Sequence, residues 1–322
     1  MSKVYLLLTL MILVSCASRG AKTIIAHRGA SGYLPEHTLE AAAMAYSFGV
    51  DFIEPDLVVT KDNHLVVLHD VHIDSTTNVA SLFPEKKRKD GRFYAVDFTL
   101  FELKQLRVNE RTNLKTQQSV FSKRFPQDKS SFRIPSFQEF IELIQGLNQS
   151  MGKDIGIYPE MKSPEFHAKE GKDIAKLTFK ILEKYGYNSE KANIYVQCFY
   201  PPTLKRLKNE FKAKFPLIQL IAEQSWNESS ANYQQMQTKA GIKEIASYAD
   251  GIGPYVQQLI KNEEMVKWAH AYGLKVHAYT HRSDALPEGM KTDKEFFQYF
   301  FGKLNIDGIF SDFSDRALPY AN

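Results

Sequence analysis

The sequence predicts an α/β fold: a (β/α)8 TIM barrel with a small insertion subdomain after the second barrel strand. Three observations predict it. Eight short runs of apolar and β-branched residues are spread along the chain, the pattern of buried parallel strands. Helical stretches with start and stop signals separate most neighbouring runs. The length, 322 residues, suits one barrel with an insertion.

The strands are expected at Thr23–His27, Phe52–Val58, Ile155–Glu160, Ile194–Cys198, Leu217–Ala222, Gly251–Gly253, Lys275–Tyr279 and Asp307–Ser311. Between them, Thr38–Gly49 is Ala-rich, with Thr38 placed to cap its start and Gly49 to stop it. Ser136–Gln145 opens on Ser136 with Glu139 three residues on, the spacing of a capping box. Lys172–Tyr185 ends at Gly186, and Pro201–Phe211 opens on Pro-Pro-Thr. Lys239–Tyr248 and Glu263–Tyr272 complete the helices, the latter closed by Gly273. One region is irregular. His64–His69 follows the second strand across Lys61-Asp62-Asn63, which reads as a hairpin turn. Residues 71–134 then mix Pro, Lys, Asp and aromatics over about sixty positions, too many for an ordinary βα loop. They read as an insertion over the barrel mouth.

Hydrophobic residues make up 43% and charged residues 24%, so the chain can bury a large core. The net charge of +4 comes without a basic stripe interleaved with aromatics, which argues against a nucleic-acid partner. The run Lys86-Lys87-Arg88-Lys89 is flanked by Glu85 and Asp90 and reads as a solvated loop. At the N-terminus, Lys3 precedes the apolar run Val4 to Val14, interrupted only by Thr9. That run is too short to span a bilayer core of ~30 Å and reads as a secretory signal. Leu13-Val14-Ser15-Cys16 resembles a bacterial lipobox. Residues 1–16 are thus expected to form a signal peptide ending in a lipidated Cys16. The protein would then be periplasmic or on the cell surface, lipid-anchored to a bacterial membrane. Cys198, the other cysteine, reads as a buried structural thiol.

Chemistry in such barrels sits at the C-terminal ends of the strands. His27-Arg28 ends the first strand, the second carries Glu54 and Asp56, His69-Asp70 ends the hairpin, and Glu160-Met161-Lys162 ends the third. Glu54 and Asp56 are two apart on a strand and share a face. With Glu160 they offer three hard oxygen ligands, which suit Ca²⁺ or Mg²⁺ better than Zn²⁺. His27 and His69 can act as general base and general acid near neutral pH. Arg28 and Lys162 can offset charge on phosphoryl oxygens. Beyond this set, Arg282, His281, Trp226, Tyr255, Tyr279 and Tyr200 fall near strand ends. His277 is expected in a structural or substrate-lining place, and His64, His72, His167 and His270 at the surface or in loops.

The stretch Ile24 to Thr38, with its His27-Arg28-Gly29 core, resembles the opening signature of bacterial glycerophosphodiester phosphodiesterases. Glu54-Pro55-Asp56-Leu57, Leu65 to Asp70, Tyr158 to Lys162 and Asp307 to Phe313 are similar to its later motifs, in the same order. The resemblance runs from about residue 22 to the end and extends to the insertion of the periplasmic and lipoprotein branch. It implies metal-dependent hydrolysis of glycerophosphodiesters to sn-glycerol 3-phosphate and an alcohol. It implies one divalent cation, Ca²⁺ in preference to Mg²⁺, on Glu54, Asp56 and Glu160. It implies His27 and His69 as the acid/base pair, and Arg28 and Lys162 on the phosphate. The family reaction is drawn as attack by the glycerol 2-hydroxyl followed by hydrolysis of a cyclic phosphate. His37 stands where many members have Asn, and Ser314 where Pro is common. A phospholipase of this fold acting on lysophospholipid or sphingomyelin, or a surface-binding lipoprotein, are the other readings of the same residues.

Overall fold

The computed structural model describes residues 21–321; the expected signal peptide, 1–16 with Cys16, lies outside the described residues. Eight barrel strands are present. They are Thr23–Ala26, a second strand in two segments (Phe52–Ile53 and Asp56–Val59), a third in two segments (Gly156–Ile157 and Glu160–Met161), Val196–Cys198, Leu217–Ile221, Gly251–Pro254, Lys275–His281 and Gly308–Ser311. Neighbours pair in parallel around the ring. The eighth strand closes it on the first, from Thr23↔Gly308 to Ala26↔Ser311.

The second and third strands break at Glu54-Pro55 and Tyr158-Pro159, where proline has no amide to donate to the ladder. The carbonyls still bond across: Pro55 accepts from Glu160 N, and Pro159 from Gln197 N. The breaks therefore leave the barrel closed while altering the local pleat beside Glu54 and Glu160.

After the second strand the chain turns at Asn63, whose φ is 64°, and returns as the antiparallel strand Leu65–Val67. This hairpin brings His69 back to the mouth, with Leu68 N bonded to Asp56 O at 3.0 Å.

The main core lies between strands and helices. A small cluster, Ile25, Phe52, Tyr158, Ile218 and Phe310, fills the barrel interior. His277 belongs there: Tyr158 Oη lies 2.9 Å from its Nδ1. Cys198 is buried and its thiol is pushed up to about 12 by burial, an inert packing residue. The region 71–134 contains short helices and the two-stranded hairpin Thr112–Asn113/Gln118–Ser119. Its side chains Ile73, Val79, Phe93, Phe98, Leu106 and Phe132 share a separate apolar cluster with Val58 and Val66 of the hairpin below. Arg88, in the basic run read as solvated, is instead tied to Asp97 and to Glu170 of the barrel, while Tyr94 stacks on Phe166.

Six helices fall where helical patterns were expected. Leu39–Phe48 is capped by Thr38, with Gly49 left-handed at φ 81°. Phe137–Met151 carries the capping box of Ser136 and Glu139, and runs past the expected end to Gly152. Ile174–Lys184, Pro201–Asn209, Lys239–Ile245 and Glu264–Ala271 follow. Pro164–Lys169, Val256–Lys261 and Asp293–Phe297 were not expected, because one or two turns are too short to display a period. One correction follows from the first of these. His167, expected at the surface or in a loop, is fully buried on the inner face of Pro164–Lys169. Burial holds it down to about 4, so it is neutral.

Candidate active site

The site begins with a turn. At the end of the first strand Arg28 is left-handed, with φ 61°, a conformation that costs a non-glycine residue about 1–2 kcal/mol. Gly29 follows at φ 78°, and a Cβ there would lie 2.7 Å from the Ala41 carbonyl carbon. Only glycine fits. The reversal lets the Arg28 amide donate to Glu54 Oε2 at 2.7 Å, locking the first strand's end to the second.

Glu54, Asp56 and Glu160 each offer a carboxylate oxygen within 4.8 Å of the others, and all three are buried. Asp56 and Glu160 face one another in register across adjacent strands. Burial, then Asp56 and Glu160, raises Glu54 well above the usual carboxylate range, against Arg28. Burial likewise raises Glu160 against the pull of Lys162. Burial would raise Asp56 too, but Lys162, His69 and His37 outweigh it and hold Asp56 low. Asp56 Oδ1 is buried without a hydrogen-bond partner. Three dry carboxylates with an orphaned oxygen fit a hard divalent cation. His37 lies with Nε2 2.8 Å from Asp56 Oδ2 and orients it.

Each imidazole is backed by its own carboxylate. His27 Nδ1 lies 2.6 Å from Asp312 Oδ1, and His69 Nδ1 lies 2.5 Å from Asp70 Oδ1. In the neutral rings, hydrogen bonding through Nδ1–H leaves Nε2 as the acceptor; that of His69 faces Lys162 Nζ at 3.4 Å. Burial and then Arg28 push His27 down to about 3, against Asp312. Burial, Arg28 and Lys162 lower His69 as well.

Arginines stand behind both carboxylates. Arg282 Nε and Arg124 Nη2 donate to Asp312 Oδ2 at 2.9 and 2.8 Å. Arg111 donates to Asp70 and, at 2.6 Å, to Glu36. Glu36 in turn accepts from Arg28 Nη1 at 3.1 Å. Arg111 and Arg124 both come from the region 71–134, which therefore braces both histidines from outside the barrel. Neither arginine was singled out by sequence, for they lie in irregular chain with no spacing to mark them.

Lys162 sits 2.7 Å from Glu160 Oε1 and 3.4 Å from His69 Nε2. Arg28 and Lys162 line the same cavity of about 210 Å³ as His27, His69, Glu54 and Glu160. Every residue singled out for chemistry is thus gathered at one mouth. Of the rim residues, Arg282, Trp226, Tyr255 and Tyr279 also line it. His281 does not: it is buried, held by Ser311 and Asp293. Tyr200 instead lies outside this cavity, at the start of Pro201–Asn209.

Nearby, Glu110 is only 3% exposed and its Oε2 has no partner. Burial, then Glu36, pushes it up to about 8 against Arg124. Its folded pKa exceeds the unfolded one, so folding is unpenalised below about 4.5 and loses stability as pH rises towards 8. Glu110→Gln is expected to gain about 1–3 kcal/mol over wild type at pH 8.5 and almost nothing at pH 4. Urea midpoints at the two pH values check this; equal differences at both would refute it.

A barrel mouth that concentrates carboxylates for a cation, oriented imidazoles and cationic side chains sorts the chain among hydrolases of charged phosphoryl compounds. The model of the glycerophosphoryl diester phosphodiesterase family matches residues 27–316, and the chain belongs to that family. A glycerophosphodiester phosphodiesterase from Haemophilus influenzae is 41% identical, covering 98% of this chain and 96% of its own. One from Treponema pallidum is 38% identical over 96% and 94%. A solved structure from Silicibacter pomeroyi superposes with a TM-score of 0.72 at 21% identity, covering 94% of this chain and 95% of its own. An Oleispira antarctica phosphodiesterase, solved with the product sn-glycerol-3-phosphate, superposes at 0.64 with 20% identity, over 94% and 96%.

Proposed function

We propose that the protein hydrolyses glycerophosphodiesters to sn-glycerol 3-phosphate and an alcohol, with a divalent cation on Glu54, Asp56 and Glu160. The observation that carries this is the placement of two carboxylate-backed imidazoles beside the carboxylate trio. The two relatives of the same name support the substrate class. When bound, the cation would draw charge off the phosphoryl oxygens. Ca²⁺ is favoured over Mg²⁺, which prefers to keep several waters.

Arg28 and Lys162 hold the phosphate. His27 is neutral, with Nε2 free, and takes the proton of the glycerol 2-hydroxyl as that oxygen attacks phosphorus. The bond to the departing alcohol breaks, and His69, entering this step protonated on both ring nitrogens with Asp70 beside the imidazolium, gives that oxygen its Nε2 proton. Water then opens the cyclic phosphate with the roles reversed: His69 takes the water proton and His27 returns one to the 2-oxygen.

Purified protein supplied with Ca²⁺ should release sn-glycerol 3-phosphate from several glycerophosphodiesters. A chelator should stop the release and added cation restore it. No release with either Ca²⁺ or Mg²⁺ would overturn the reading. Preference for acylated substrates would assign the site to a phospholipase.

The membrane location is part of the same proposal. The apolar run behind Lys3 and the Leu13-Val14-Ser15-Cys16 sequence support a lipid anchor on Cys16, holding the enzyme on the periplasmic or outer face of a bacterial membrane. No helix among the described residues is long and apolar enough to cross one.

A further inference from the structure

The cavity has two unlike sides, which meet at Lys162. On one are the histidines, carboxylates, Arg28 and Lys162. On the other, aromatic rings form a continuous wall. Phe199 lies 6.0 Å from Tyr279, Tyr279 lies 5.9 Å from Tyr255, and Tyr255 lies 4.9 Å from Trp226, centroid to centroid. Trp226 is 44% exposed, an unusual state for so large an apolar side chain. Tyr279 spends its hydroxyl on the Ile221 carbonyl, at 2.9 Å, so what it offers the cavity is its ring.

A carboxylate shares this wall. Glu228 lines the cavity with the four rings. Its nearest cation, Lys162 Nζ, is 3.7 Å away, beyond hydrogen-bonding distance. Lys162 is held more closely by Glu160, at 2.7 Å. Glu228 therefore keeps negative charge to offer another cation. The wall already accepts one: the Lys162 ammonium sits 5.1 Å over the Phe199 ring.

Several aromatic rings, packed edge-to-face or tilted on one another, beside one loosely paired carboxylate are the chemistry that recognises a quaternary or primary ammonium, through the ring quadrupole and direct charge attraction. We propose that this side of the site binds the departing alcohol, and that it selects amino alcohols with a cationic head, choline above all. This rests on the phosphodiesterase reading. An uncharged polyol such as glycerol or inositol could donate hydroxyls to Glu228 but would bring no positive charge to it or to the ring faces. An acyl chain would set a carboxylate against hydrocarbon, and a cavity of about 210 Å³ falls short of the ~300–1,000 Å³ typical for drug-sized ligands.

The test compares kcat/KM for glycerophosphocholine and glycerophosphoglycerol in the Ca²⁺-loaded enzyme. Wild type should favour glycerophosphocholine by about tenfold or more, chiefly through KM. Trp226→Ala and Glu228→Gln should each lower that ratio at least about fivefold, with Trp226→Phe retaining most of it. Tetramethylammonium should compete with glycerophosphocholine, and should quench Trp226 fluorescence even in the absence of any diester. Equal use of both substrates by wild type, or parallel losses in the variants, would overturn the inference. So would a preference for lysophosphatidylcholine. If no diester turns over yet tetramethylammonium still quenches in wild type and not in Glu228→Gln, the reaction reading fails and the ammonium site stands.

Discussion

His27→Ala and His69→Ala are each expected to lower kcat by roughly 10²–10⁴-fold, the range that one general acid or base supplies. The two losses should not add, because both imidazoles serve the same pair of proton transfers. Neither change should disturb folding, since each ring sits at the mouth rather than in the main core. Unchanged melting temperatures, together with steady-state kinetics, separate lost catalysis from lost structure. A graded contrast comes from the brace behind His27. Arg124→Met leaves Arg282 on Asp312, so Asp312 stays ionised and still holds the Nδ1 proton. The expected loss is about tenfold, the scale of an interaction acting through another residue. Wild-type turnover in both histidine variants would remove the acid/base assignment.

The second large effect is thermal. Burial raises Glu54 and Glu160, and repulsion from the neighbouring carboxylates adds to it. A bound cation removes that repulsion. At about 100 times its Kd the cation should stabilise the fold by ~2.7 kcal/mol. For a chain of this size that is an upward shift in Tm of roughly 5 °C. The shift should shrink as pH falls, because the two raised carboxyls bind protons that the cation must displace. Asp56→Asn and Glu160→Gln should abolish most of it. Scanning calorimetry with and without Ca²⁺ makes the measurement, and a full shift surviving in Glu160→Gln would put the cation elsewhere.

Local patterns carried much of this molecule. The capping box at Ser136 and Glu139 and the stop at Gly49 are short-range chemistry, and the structure forms both. Buried parallel strands need apolar runs, so even the brief Gly251–Pro254 is visible in the chain. Glu54 and Asp56 can be paired by a two-residue period, and His27-Arg28-Gly29 placed at the end of the first strand; the strained turn there is seen only in the structure.

The composition of the rim was legible, but its wiring was not. No spacing relates His27 to Asp312, 285 positions away, or Arg111 to Glu36, 75 positions away. Those pairs exist because the eighth strand closes on the first and because the region 71–134 folds back over the mouth. Burial of His167 and Glu110 likewise depends on which face of a short segment meets the core, and a segment of one turn shows no period. The sequence alone determined the eight barrel strands, the six longer helices and the side chains at the strand ends that can do chemistry, since these follow from neighbours along the chain. Tertiary structure alone decided which carboxylate backs each imidazole and where a free negative charge meets an aromatic wall. Those contacts join residues that only barrel closure and the folded insertion bring within a few ångströms.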